Sequence, residues 1–200
     1  MGMMLAMIAQ RIGLVNARRR QSWRRGAALA IVFAVTALAS CGATSAARGG
    51  DIGPVVRSEC VPFARAVAQV AIYGNAADWW SQAAGRYART RTPEVGSVLV
   101  FRRTSRLRFG HVAVVSRVLS DRRILVTHAN WVPHRVNADV LAVDVSRGND
   151  WSQVRVWWPP SQRLGASAYP AYGFIQRGRP LHHEEIAANA RQFITLATRD

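Results

Sequence analysis

Lysine is missing from this 200-residue chain. All 27 basic residues are arginine, set against 11 acids, for a formal net charge of +16. Two cysteines, Cys41 and Cys60, exclude a disulfide-rich scaffold and leave at most one bridge. No apolar run reaches the 20 or so residues that a membrane span needs; the longest, residues 27–40, holds 14. There is no internal repeat, no clustered Asp/Asn loop of the kind that holds calcium, and no nucleic-acid-binding motif.

What is present begins with a leader. Residues 1–26 carry six arginines and no acid, residues 27–40 are apolar, and Leu38-Ala39-Ser40-Cys41 is followed by Gly42. This order resembles a bacterial lipoprotein signal, with residues 38–41 as the lipobox and Cys41 as the lipidated first residue of the mature chain. A plain export signal cut near residues 44–47 or an uncleaved anchor fits the same run. Residues 41–55, rich in Ala, Gly, Ser and Thr, read as a flexible tether. Arg18-Arg19-Arg20 is flanked poorly for twin-arginine export. An exported, arginine-rich chain suits an anionic surface such as cell-wall polymer or lipid head groups, although arginines this scattered also follow from composition alone. If Cys41 bears lipid, Cys60 is the one thiol left in an oxidising compartment, a candidate reactive group.

The remaining residues suffice for one core. Ser58 reads as a helix N-cap, and Cys60, Phe63, Ala64, Val67, Ala68 and Ala71 fall on one helical face. Residues 76–84 read as a second helix stopped by Gly85. Strand patterns follow at residues 97–101, 110–118, 124–128, 140–145, 154–158 and 172–175. Residues 102–108 form a basic loop, and residues 184–196 have a weak helical pattern. The expectation is an α+β domain over residues 56–178, N-terminal helices packed on an antiparallel sheet of five to six strands, then a tail at 179–200.

Within this plan, Cys60 lies at a helix mouth, where free N–H groups and the helix dipole favour thiolate; the same pattern suits a small core residue. His111 opens an otherwise apolar strand. Asn130 follows the next strand, so adjacent antiparallel strands would set it beside His111. Cysteine, histidine and an orienting amide in that chain order make the arrangement used for acyl transfer through a thioester. Cys60, His111 and His128 could also hold zinc, but no fourth ligand has suitable spacing, so no metal and no cofactor are expected.

The segments Glu59-Cys60-Val61-Pro62-Phe63-Ala64-Arg65, Gly74-Asn75-Ala76-Ala77-Asp78-Trp79-Trp80 and Pro93-Glu94-Val95-Gly96-Ser97-Val98-Leu99-Val100-Phe101 resemble the CHAP domain family of cysteine, histidine-dependent amidohydrolases and peptidases, as do Gly110-His111-Val112-Ala113-Val114-Val115 and His128-Ala129-Asn130-Trp131. The resemblance implies a papain-like fold with Cys60 as nucleophile, His111 as base and then acid, and Asn130 orienting the ring. Many members carry glutamate where this chain has His128, which leaves His128 as an auxiliary residue of open role. Trp79, Trp80 and Trp131 are candidates for lining the cleft, or for the core. The implied activity is hydrolysis of peptidoglycan amide bonds, as an N-acetylmuramoyl-L-alanine amidase or a stem or cross-link endopeptidase. The expected protein is a monomer with peptidoglycan as substrate, held in the cell envelope by lipid on Cys41, on the periplasmic face of an outer membrane if there is one. The alternatives are a non-catalytic envelope-binding module of the same fold and a cysteine amidase acting on a small-molecule amide.

Overall fold

The computed structural model describes residues 53–199; the signal, the lipobox with Cys41 and most of the tether lie outside them. In chain order the elements are α1 (Cys60–Ala68), a 3-10 turn (Ala76–Asp78), α2 (Trp79–Gln82), β1 (Ala88–Thr90), β2 (Val98–Phe101), β3 (His111–Ser120) and β4 (Arg123–Ala129). Then come β5 (Val136–Asp144), β6 (Gln153–Trp158), a second 3-10 turn (Pro159–Ser161), β7 (Arg163–Leu164), β8 (Tyr169–Gln176) and α3 (His183–Ala197).

All strand pairings are antiparallel, and the sheet closes on itself. From β8 the order runs through β2, β3, β4, β5 and β6, and β6 pairs back onto β8 through Gln153↔Pro170 and Val154↔Tyr169. β1 and β7 are short additions outside this six-stranded ring. The α+β, papain-like expectation of helices laid on an open sheet is therefore corrected: the domain is mainly a closed β-barrel with three helices. Barrel closure removes two sheet edges that would otherwise need covering. The closing contact spans just two residue pairs, far apart from the rest of β2–β5 in sequence, and no local pattern encodes it.

Closure gives the protein two cores, and strand alternation divides residues between them. Leu99, Phe101, Ala113, Val115, Ile124, Val126, Val140, Ala142, Val154 and Phe174 fill the barrel interior. Val98, Val100, Val112, Val114, Ala129 and Ile175 point outward and meet the helices. This is why Val98-Leu99-Val100-Phe101 reads as an unbroken apolar run: β2 is buried on both faces.

The helices seal the outer core. α1 buries Cys60, Phe63, Ala64, Val67 and Ala68, the i, i+3, i+4 stripe of an amphipathic helix. It starts one residue later than expected, since Glu59 is the N-cap and Ser58 lies outside. The segment read as one second helix is a 3-10 turn followed by a single α-helical turn. α3 lies on α1: Phe193 meets Phe63 edge-on at 5.3 Å, and Asn189 Nδ2 donates to the Val67 carbonyl at 3.0 Å. A capping box between His182 and Glu185 starts α3.

Two glycines hold tight approaches. Gly173 (φ +133°) stands where the register between β2 and β8 shifts, and a Cβ there would lie 2.4 Å from the Thr90 carbonyl oxygen. Gly110 (φ +75°) precedes His111, and a Cβ there would lie 2.6 Å from the Ala77 nitrogen and 2.8 Å from the Phe101 oxygen. The basic loop thus passes close enough for the Ala77 N–H to donate to the Phe109 carbonyl at 2.9 Å.

Candidate functional site

Cys60 is the first residue of α1 and His111 the first of β3, and these two elements pack together. Both residues, with Asn130, line one cleft of about 640 Å³. The basic loop supplies another wall through Arg106, Leu107, Arg108 and Phe109. Strand parity sets the direction of His111: it shares its face with Ala113 and Val115, so its ring caps the barrel interior against Phe101 and Trp131.

The same parity places His128 beside Ile124 and Val126 on the interior face of β4. Val114 pairs with Thr127, which puts His128 diagonally across from His111. The two rings meet, His111 Nε2 to His128 Nδ1, at 3.1 Å. Trp131 stacks on His128 at 5.5 Å, closing the pair from water. Burial holds the His111 pKa down at about 3, and burial with the neighbouring His111 pushes His128 well below its ordinary value. Both rings are therefore neutral at pH 7, and one nitrogen of the pair donates while the other accepts. For His111 to accept a proton on Nδ1, Nε2 must carry hydrogen and His128 Nδ1 must be the acceptor.

Asn130 is not hydrogen-bonded to His111. β4 ends at Ala129, Asn130 has φ +58°, and its side chain turns toward α1. Its Nδ2 donates to Glu59 Oε2 at 2.7 Å, and its Oδ1 accepts from the His134 backbone N–H at 2.9 Å. The residue expected to orient the ring instead ties the turn after β4 to the N-cap beside Cys60. Glu59 is a contributor to which residue pattern alone assigns no role, although it adjoins Cys60 in the chain.

Cys60 is a free thiol with only 9 % of its surface exposed. Burial pushes its pKa up from 9.0 to about 11; the Glu59 carboxylate adds to this, while hydrogen bonding to the backbone of Val112, Cys60 and Val61 opposes it. The thiolate expected from the helix mouth is therefore not the resting form, because desolvation outweighs the backbone N–H groups. The Val112 contact sets the sulfur beside the residue that follows His111.

The tryptophans separate. Trp79 is fully enclosed in the outer core, and Trp80 stacks on Tyr172 at 5.8 Å with Arg89 over its ring; neither lines the cleft. Trp131 packs on the histidine pair and lines a neighbouring groove. Among the described residues there is no group of three or more His, Cys, Asp and Glu arranged to hold a metal ion.

No curated protein sequence matches the chain. Among solved structures, a crystal structure of Ly7917 is similar with 16% identity and a TM-score of 0.35, covering 65% of this chain and 58% of that one. A second, Ly7917 with the hydrolyzing product of MDP, has 17% identity and a TM-score of 0.33, covering 64% and 59%. The family model of the CHAP domain matches residues 50–130, the stretch that runs from the tether through α1 and β2–β4 and holds Cys60, His111, His128 and Asn130. Over residues 50–130 the chain is similar to the CHAP domain family.

Proposed function

We propose that this protein is a cysteine-dependent amidase or endopeptidase that cleaves amide bonds of peptidoglycan. One observation carries the reading: a single cleft holds the Cys60 thiol at a helix mouth and the His111 ring, whose far nitrogen is held by His128. The similarity to the CHAP domain family supports a peptidoglycan-related hydrolase.

The neutral resting pair defines the first step. With Nε2 donating to His128, His111 Nδ1 has a free lone pair and takes the Cys60 proton as sulfur attacks the substrate carbonyl carbon. Substrate entry displaces water, and the developing oxyanion is held by the backbone N–H at the start of α1, Cys60's own. His111 returns its proton to the leaving amine as the C–N bond breaks, leaving a thioester on Cys60. Water, giving a proton to His111, adds to the thioester; the C–S bond breaks, the acid leaves, and the thiol is restored. His128 touches no reacting atom here. It is a positioning residue that keeps the productive tautomer of His111.

Export and lipid attachment at Cys41 belong to the same proposal, on the strength of the leader sequence alone. They would hold the enzyme at the envelope, next to its substrate. A buried neutral thiol also favours a second reading, a binding module without turnover. Incubating the protein with purified sacculi separates the two, with Cys60→Ala and His111→Ala forms alongside and soluble products identified by mass. Fragments from wild type and none from the variants are expected, and their new ends name the bond. Silence from all three forms would sink the hydrolase reading.

A further inference from the structure

A second groove opens next to the catalytic cleft. It has a volume of about 370 Å³ and is walled by Trp131, Trp158 and Tyr169, with Arg106, Arg163 and Ser167 at its edge. Arg106 lines both cavities, so the two are contiguous across one side chain. Its Nη1 donates to Ser167 Oγ at 2.7 Å, which fixes the guanidinium on the partition. No acid lines this groove, and among the described residues neither Arg106 nor Arg163 has an acidic partner. Trp131 Nε1 is also buried with no hydrogen-bonding protein partner among the described residues.

These features describe a ligand. Aromatic faces cover the carbon skeleton of a sugar or peptide, and two unpaired guanidiniums answer a carboxylate, which arginine holds in a two-pronged geometry. Trp131 connects the groove to the chemistry, because it packs against Tyr169 at 5.2 Å and against the His111 ring at 5.1 Å. We infer that this groove is a substrate subsite that selects glycopeptides bearing a free carboxylate, clamped between Arg106 and Arg163 while the adjoining amide lies at Cys60. The inference rests on the proposed hydrolase reading for its substrate class, and it adds a specificity: amidation of the stem carboxylates weakens recognition.

The test is binding, so that it stands apart from catalysis. Full-length Cys60→Ala protein is titrated with an N-acetylmuramoyl tetrapeptide carrying free carboxylates and with its fully amidated counterpart. The free acid is expected to bind about tenfold more tightly, the amount a charge-assisted hydrogen-bonded pair contributes. Arg163→Gln, at an exposed position on β7, narrows that difference, and Arg163→Lys restores part of it. In the Cys60-intact enzyme, Arg163→Gln raises KM with kcat within about twofold of wild type, because the side chain touches no reacting atom. Equal affinity for acid and amide, no binding of either, or an Arg163→Gln form that discriminates as sharply as its parent would each overturn the subsite. If sacculi remain uncut while free and amidated ligands are still discriminated, the subsite stands and the hydrolase reading fails.

Discussion

The contact between His111 and His128 carries most of the proposed chemistry, and it can be removed without emptying the barrel. His128→Phe keeps an aromatic ring of similar volume against Trp131 and His111, so packing is largely conserved. What is lost is the acceptor for His111 Nε2–H, 3.1 Å away and sealed from water. A buried donor left without a partner costs about 1–3 kcal/mol. His111 escapes that cost by moving its proton to Nδ1, which fills the lone pair that the proposed mechanism uses and removes the base. The fall in kcat/KM is then about 10- to 100-fold, at about 1.4 kcal/mol per tenfold. It lies mainly in kcat, since the ground-state cleft is unaltered. His128→Gln, whose amide oxygen can accept from Nε2–H, recovers part of the rate, which a purely packing role would not do. The assay is fragment release from sacculi over a pH series, with thermal unfolding as the folding control. Full activity and an unchanged pH profile in a folded His128→Phe protein would remove His128 from the mechanism and return the orienting role to another group.

Three further outcomes follow from burial at the site. Because Cys60 is pushed up from 9.0 to about 11, its thiolate at neutral pH is about a hundredfold scarcer than in a free thiol, so alkylation is slow at pH 7 and climbs about tenfold per pH unit toward 11; a plateau below pH 8 would reveal a resting ion pair instead. His111 is held at about 3 when folded and takes a proton near 6.5 when unfolded, so stability is intact above about pH 6.5 and lost as pH falls toward 3, by about 1.4 kcal/mol per unit. Urea midpoints at pH 7 and pH 4 check this, and a His111→Phe form that loses just as much would show that other groups are responsible. Trp79→Phe, deep in the outer core, lowers Tm at a cost of about 1–3 kcal/mol yet leaves KM unchanged, whereas a raised KM in the folded variant would place Trp79 in the cleft after all.

Local chemistry made several features legible before any coordinates. The spacing of Phe63, Ala64 and Val67 is enough to put Cys60 at the start of an amphipathic helix, and the apolar runs of β2, β3 and β4 announce buried strands. The motif order from Glu59 to Trp131 is a property of the chain, and residues 50–130 match the CHAP domain model. Three things were not legible, each for a nonlocal reason. Barrel closure rests on two residue pairs between β6 and β8, which leave no periodic trace in either strand. The hydrogen-bond partner of His111 depended on where β4 ends: one more residue of strand would have set Asn130 opposite His111, but its positive φ turns it to Glu59 and leaves His128 on the shared interior face. The proton state of Cys60 depended on how much protein surrounds it, since the helix mouth pulls toward thiolate and desolvation pulls further the other way. Residue type and spacing specify which groups are available; packing across distant strands specifies which of them touch and which carry charge.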